Sequence, residues 1–478
     1  MTDPLAGFAQ FVEESRRAAD VPGLAIGIVR DGLLIFAKGF GVREIARDLP
    51  VTPETIFPIC SATKAFTTTA LAMLVDEGML NWDKPVRDYL PSFRLFDPVA
   101  TERTTPRDLA AHRTGLPRHD TLWHNSPFTR RELFNRLRYL EPSRDFRVEF
   151  QYSNLMYMAA GCLLEEINRS SYETVIQRRI LNRLGMNHSN LSVETSTANP
   201  NHATPHLDDA AGIHSIPWTF TSAGAPAGGI NSNVLDMCKW LWFNLNRGRL
   251  NGERIVSEKN MVELHTPQIV EAGLLGVRQF TRYREVSHAC YGLGWTMFTY
   301  RGHTLIFHGG SMDGFISATS FMPDDGIGIS VFANLHETLL PWLVTFNAYD
   351  RLLGLDELPW TQRIADAKNQ VAPIPAPERK PNAPPSHALA DYAGTYEHPG
   401  YGVLTITQEG DALKAVYNNL PIDLFHLHYN HFDLVFKRHN RSFQSFFVTD
   451  LNGAISALAV PLEPTVKPIL FSRKGTHS

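Results

Sequence analysis

Two groups of β-rich runs, far apart in the chain, bracket a middle that reads as helical, and no other feature restricts the fold as much. The first group is Gly23–Val29 and Leu33–Gly39, divided by Arg30-Asp31-Gly32. Asp-Gly between two apolar runs signals a tight hairpin. The second group is Tyr291–Tyr300, Thr304–Phe307, Ile316–Met322 and Ile327–Phe332, the last entered through a Pro323-Asp324-Asp325-Gly326 turn. Half-apolar strands need partners, so both groups are expected in one antiparallel sheet, with the helical middle inserted as a subdomain.

Helices are expected outside and inside this frame. Leu5–Ala19 is amphipathic and opens the chain, and Leu339–Leu353 closes the sheet-forming part. In the middle, Ala65–Glu77 is rich in Ala, Leu and Met and stops at Gly78. Thr105-Pro106 reads as an N-cap followed by proline at the first helical position. Thr129–Leu140, Ser153–Asn168, Asn233–Leu245 and Ser257–Leu264 are further candidates. The fold class is α/β in the broad sense, α+β in the narrow one, with a cleft between sheet and helices suited to a small ligand.

Val371–Ser386 holds six prolines and little that can pack, so it reads as a linker. Beyond it come short strands at even spacing: Val403–Thr407, Ala412–Tyr417, Leu424–Leu427, Phe432–Phe436, Phe443–Val448 and Ile455–Val460. Such a series suggests a small antiparallel barrel. The expected division is 1–370, a linker over 371–388, and 389–478.

A net charge of −4 carries no electrostatic footprint for nucleic acid. No apolar run approaches the roughly 20 residues that span a bilayer, and the start Met1-Thr2-Asp3-Pro4 lacks the pattern of a secretory leader, so no membrane and a cytoplasmic location are expected. Cys60, Cys162, Cys238 and Cys290 show no metal or disulfide spacing and read as reduced thiols. Cys60 is expected to be open to alkylation, because it adjoins the most chemically suggestive serine. His426 and His428 are at alternate positions with His431 close by, but no Cys or second His pair completes a tetrahedral set, so no metal is expected.

That serine is Ser61, in Cys60-Ser61-Ala62-Thr63-Lys64, where an extended approach through Thr55–Ile59 turns into the Ala65 helix. Positions i and i+3 share a helix face, so Lys64 can reach the Ser61 hydroxyl. Burial and the positive end of the helix both favour a neutral lysine able to take the serine proton. The Ser61 N–H can donate to an oxyanion. Tyr152-Ser153-Asn154 opens another helix, with a phenol fit for proton relay and an amide fit for both Lys64 and a substrate carbonyl. His308-Gly309-Gly310-Ser311 closes a strand. Consecutive glycines there mean that something comes close to the backbone, and a substrate laid along the strand edge, with the Ser311 N–H as second oxyanion donor, is the expected occupant.

Taken in order, Ser61-x-x-Lys64, Tyr152-x-Asn154 and His308-Gly309-Gly310 resemble the three-motif signature of serine β-lactamase-like and penicillin-binding-type hydrolases. The nearest branch is class C, with its D-aminopeptidases, D,D-carboxypeptidases and family VIII esterases. His112-Arg113-Thr114-Gly115-Leu116-Pro117, Ala227-Gly228-Gly229-Ile230 and Tyr291-Gly292-Leu293-Gly294-Trp295 resemble further segments of that family, and the match spans about residues 5 to 355. Leu389-Ala390-Asp391-Tyr392-Ala393-Gly394-Thr395-Tyr396 resembles the entry to a lipocalin-like C-terminal module.

The resemblance implies a transpeptidase-like sheet, acylation of Ser61 with Lys64 and Tyr152 sharing the proton transfers, and substrate contacts at Asn154, His308, Gly309, Gly310 and Ser311. It implies no cofactor, and a small-molecule or short-peptide substrate as the partner, with homo-oligomers left open. The chain departs from β-lactamases at the third motif. His-Gly-Gly stands for Lys-Thr-Gly or Lys-Ser-Gly, and a neutral imidazole holds a carboxylate less firmly than a permanent cation. Small amides, D-configured peptides or carboxyl esters are therefore favoured over penicillins. Acyl transfer to an amine, peptide cyclisation, slow deacylation and a non-catalytic binding role remain as alternatives.

Overall fold

The computed structural model describes residues 3–271, 283–369, 379–436 and 441–475. Its principal helices are α1 (Phe8–Ala18), α2 (Thr63–Asp76), α3 (Asn154–Asn168), α4 (Val234–Leu245) and α5 (Leu340–Leu352). The strands of the first part are β1 (Gly23–Arg30), β2 (Leu33–Glu44), β3 (Leu49–Pro50), β4 (Ile269–Val270), β5 (Val286–Tyr291), β6 (Thr296–Tyr300), β7 (His303–Met312), β8 (Phe315–Met322) and β9 (Ile327–Ala333). They form one nine-stranded sheet in the order β4-β5-β6-β7-β8-β9-β1-β2-β3. The join between the two ends of the chain is the antiparallel pair β1 and β9, from Leu24↔Ala333 to Arg30↔Ile327.

The sheet is covered on both faces, which explains why β1 is an unbroken apolar run rather than an alternating one. Leu24, Ile26 and Ile28 point into a cluster with Phe8 and Val12 of α1 and Val344 and Phe346 of α5. Ala25 and Val29 point the other way, into the larger cluster that holds Trp240 and Leu241 of α4 and the apolar residues of α2 and α3. The catalytic-looking motifs therefore sit on the side of the helical insertion.

Two expectations about strands need correction. Tyr291–Tyr300 is not one strand: β5 ends at Tyr291 and β6 begins at Thr296, because Gly294 takes φ +84° and lets the chain turn over Thr68. Nor does the Thr304–Phe307 strand stop at Phe307: β7 runs on to Met312, so His308–Ser311 does lie at the end of a strand, paired with β8 as far as Met312↔Phe315. Its pairing with β6 stops at Thr296↔Phe307. From His308 onward β7 is thus paired on one side only among the described residues.

Residues 371–378 of the expected linker lie outside the described residues. Eight further strands form a closed barrel: β10 (Gly394–His398), β11 (Gly402–Glu409), β12 (Ala412–Tyr417), β13 (Leu420–His428), β14 (His431–Phe436), β15 (Arg441–Thr449), β16 (Ile455–Val460) and β17 (Ile469–Arg473). β10 and β17 escape sequence reading because each is short, and they pair with each other at Tyr396↔Arg473 to close the ring. Buried rings of Tyr392, Tyr396, Tyr417, Phe432, Phe447 and Phe471 fill the barrel core. The barrel rests on the helical insertion, where Arg136 donates to the Pro399 and Gly400 carbonyls at 2.9 and 3.0 Å.

Candidate active site

Ser61 is positioned by a turn clamped from two sides. Phe57 and Pro58 pair with Ser232 and Asn231, and the Ile59 N–H donates to the Ile230 carbonyl at 2.9 Å. Cys60 then adopts φ +50°, a left-handed conformation disfavoured for a residue with a Cβ, and a 3₁₀ turn over Cys60–Ala62 runs into α2. From the other side comes β7. A Cβ added at Gly310 would lie 2.5 Å from Ser317 Oγ, 2.6 Å from Cys60 Cβ and 2.6 Å from the Ile59 carbonyl oxygen. What approaches the Cα of this glycine is the chain's own serine-bearing turn. Ser317 Oγ completes the clamp by donating to the Ile59 carbonyl at 2.7 Å.

The same packing overturns the expectation for Cys60. Its side chain is 1% exposed, and burial pushes the thiol well above its ordinary range, with the Lys64 charge pulling only partly back. A protonated, enclosed thiol resists alkylation.

Lys64 lies fully buried one turn beyond the serine. Burial drives its pKa well below the usual lysine value, and the charge of Arg118 adds to that. Its Nζ is 3.1 Å from Ser61 Oγ, 2.8 Å from Asn154 Oδ1 and 2.8 Å from the Ala227 carbonyl oxygen. The last two groups can only accept, so the two N–H bonds of a neutral amine are used on them. The lone pair is left for the Ser61 hydroxyl. Rings of Tyr152 and Tyr157, 4.7 and 5.3 Å from Nζ, complete the enclosure.

Tyr152 is half-buried just before α3. Burial raises its phenol, while Arg118 and a hydrogen bond with Ser61 work in the opposite direction. His112 stands behind it, ring centroids 4.4 Å apart, and its Nδ1 accepts from the Ser153 N–H at 3.1 Å. His308 is 5% exposed, with Nδ1 at 2.7 Å from the Gly309 carbonyl and Nε2 at 3.1 Å from Tyr291 Oη. Burial and the neighbouring Lys64 push it down to about 3, so it is a neutral imidazole. Ser311 is exposed on the one-sided stretch of β7.

A cleft of about 680 Å³, partly open to solvent, connects these groups. Ser61, Asn154 and Ser311 line it, with Arg118, Trp123, Phe220 and Asp313 around them. Lys64, His308 and Gly310 are buried and do not line it.

Sequence reasoning stopped at Pro117, one residue short of Arg118 and three short of Asp120, two further members of this site. Arg118 and Asp120 follow directly on the His112–Pro117 segment, and their order, Pro-Arg-His-Asp, was the available signal. Asp120 Oδ1 accepts from Asn154 Nδ2 at 3.0 Å and from Trp123 Nε1 at 2.9 Å, and Oδ2 from Arg118 Nε at 2.5 Å. Because a carboxylate only accepts, it fixes which end of the Asn154 amide faces Lys64. Burial opposes the Asp120 charge, but Arg118, His124 and the hydrogen bonds outweigh it and hold the pKa below the usual value. The Arg118 guanidinium also lies 5.0 Å over the Tyr152 ring. Among the described residues no group of His, Cys, Asp or Glu is arranged to hold a metal.

A serine within hydrogen-bond reach of a buried lysine, on a helix beneath a large antiparallel sheet, is an arrangement that serine hydrolases use. The chain belongs to the beta-lactamase family, whose model matches residues 8–342, and residues 378–473 match a domain of unknown function, DUF3471. It is a β-lactamase-family hydrolase. An unguisins hydrolase of Aspergillus campestris is 27% identical over 441 residues, 84% of this chain and 78% of the relative. The octameric penicillin-binding protein homologue of Pyrococcus abyssi superposes with a TM-score of 0.64 at 24% identity, covering 98% of this chain and all of that one. D-amino acid amidase from Ochrobactrum anthropi SV3 does so at 0.59 and 21%, over 77% of this chain and all of its own.

Proposed function

We propose that this protein is acylated at Ser61 by small amides, D-configured peptides or carboxyl esters and releases the acyl group to water. The observation that carries the reading is the buried Lys64, whose N–H bonds are taken by Asn154 and Ala227 while its lone pair faces Ser61 Oγ at 3.1 Å. As Oγ attacks the carbonyl carbon, its proton passes to Nζ and the C–O bond forms. The tetrahedral oxyanion is met by the Ser61 N–H, in the first turn of its helix, and by the backbone on the open edge of β7 near Ser311. Tyr152, hydrogen-bonded to Ser61 and under the field of Arg118, hands a proton to the departing amine or alkoxide. Water repeats the sequence in reverse roles.

The substrate class rests on charge. The third motif supplies a neutral imidazole and no cation, which supports uncharged amides and esters over β-lactam carboxylates. The D-amino acid amidase and the unguisins hydrolase among the similar proteins point the same way. The test is intact mass after treatment with a fluorophosphonate, wild type against Ser61→Ala, followed by a screen of D-amino-acid amides, esters and β-lactams. One adduct on wild type and none on the variant is expected. An adduct retained by Ser61→Ala removes the assignment.

A further inference from the structure

We propose that the C-terminal barrel is a working part of this active site: its Tyr401 and Glu463 are positioning residues that hold His119, and through the adjoining Asp120 set the Asn154–Lys64 pair. The inference rests on the reading of Ser61 and Lys64 given above.

His119 has φ +45° and ψ 36°, a left-handed conformation that costs a residue with a Cβ and persists only where the surroundings impose it. Here it is fully buried and held on three sides. Its backbone N–H donates to Glu463 Oε2 at 2.9 Å, its Nδ1 is 2.6 Å from Tyr401 Oη, and its Nε2 is 3.0 Å from the Glu141 carbonyl. Burial lowers its pKa, so the ring is neutral. The carbonyl can only accept, which puts the ring proton on Nε2 and makes Tyr401 the donor to Nδ1. Two of the three constraints come from the barrel: Tyr401 just before β11 and Glu463 in the loop between β16 and β17.

The barrel grips the next residues as well. Thr121 Oγ1 donates to the Leu462 carbonyl at 3.2 Å, and Asn418 Nδ2 donates to the carbonyls of Thr121 and Leu122 at 2.8 and 3.0 Å. Asp120 is therefore fixed from both sides along the chain. Contacts then run without a gap from Asp120 to Asn154, from Asn154 to Lys64 and from Lys64 to Ser61. Directional polar bonds concentrated on this one strained segment specify a geometry, which a merely adhesive apolar patch would not do.

The experiment uses the full chain and the rate of fluorophosphonate labelling of Ser61. Tyr401→Phe removes the donor to Nδ1, Glu463→Leu removes the acceptor for the His119 N–H, and Glu463→Gln keeps an acceptor there. The maximal labelling rate of Tyr401→Phe and Glu463→Leu should fall roughly ten- to a hundredfold, the scale for a displaced catalytic group, with the half-saturating reagent concentration little changed. Glu463→Gln should stay near wild type. Unchanged rates in the first two, or an equal loss in Glu463→Gln, overturn the proposal.

A second readout needs no activity. The thermal midpoints of Tyr401→Phe, Asn154→Ala and the double variant should be non-additive, because the two residues belong to one contact chain. Additive shifts overturn it. An unlabelled wild type with non-additive midpoints would instead be a failure of the Ser61 reading.

Discussion

Gly310→Ala isolates the contact that presents Ser61, the proposed nucleophile. Gly310 lacks the positive φ that requires glycine, so the cost of a Cβ is steric. It would lie at 2.5–2.6 Å from Ser317 Oγ, Cys60 Cβ and the Ile59 oxygen, and regaining ordinary contact near 3.4 Å moves the Ile59–Cys60 backbone by about 0.8 Å. Overpacking of this kind costs about 1–3 kcal/mol. The larger effect is on rate, since misplacing a reacting group by about 1 Å costs ~10²-fold. Gly309→Ala serves as the comparison: its Cβ would meet the Phe307 ring at 2.9 Å, a side chain that can rotate away. Fluorophosphonate labelling followed by intact mass, with thermal midpoints alongside, should show Gly310→Ala slowed about a hundredfold and Gly309→Ala only mildly. Wild-type labelling of Gly310→Ala at an unchanged midpoint, or Gly309→Ala as the slower variant, would refute the reasoning.

Other variants probe the proton path and the pH response. Lys64→Ala and Tyr152→Phe should each lose ~10²–10⁴ in acylation rate; a near-normal rate in stopped-flow acylation would mean that the residue's role is misassigned. His265 is half-buried against the Trp295 and Phe321 rings with its Nε2 enclosed, and desolvation holds it down to about 3, against 6.5 when free. The unfolded chain therefore binds its proton first as pH falls. Its contribution to stability is complete above 6.5 and is lost on the way down toward 3, at a slope of about 1.4 kcal/mol per pH unit. Urea unfolding between pH 7 and 5 should show His265→Phe with a shallower loss than wild type, and parallel curves would contradict the burial argument.

Much of the fold was legible because it is local. The Asp31-Gly32 hairpin, the Thr105-Pro106 and Thr129 caps and the helix that carries Ser61 and Lys64 are each announced by residues within a few positions. The short closing strands of the barrel were not, since five residues of β10 or β17 carry too little pattern and acquire strand form by pairing with each other.

The sequence by itself determined the order of the three motifs, the neutral character of the third, and the pairing of Ser61 with Lys64, because residue type and helical spacing decide those things. Only the tertiary structure decided what they touch. Gly310 is glycine for the turn at Cys60, Cys60 is closed to reagents, and Asp120, held from the barrel by way of His119, orients the amide that orients the lysine. The physical reason is separation. Burial, close packing and hydrogen-bond direction depend on groups tens to hundreds of residues apart, and no local pattern records which of them will meet.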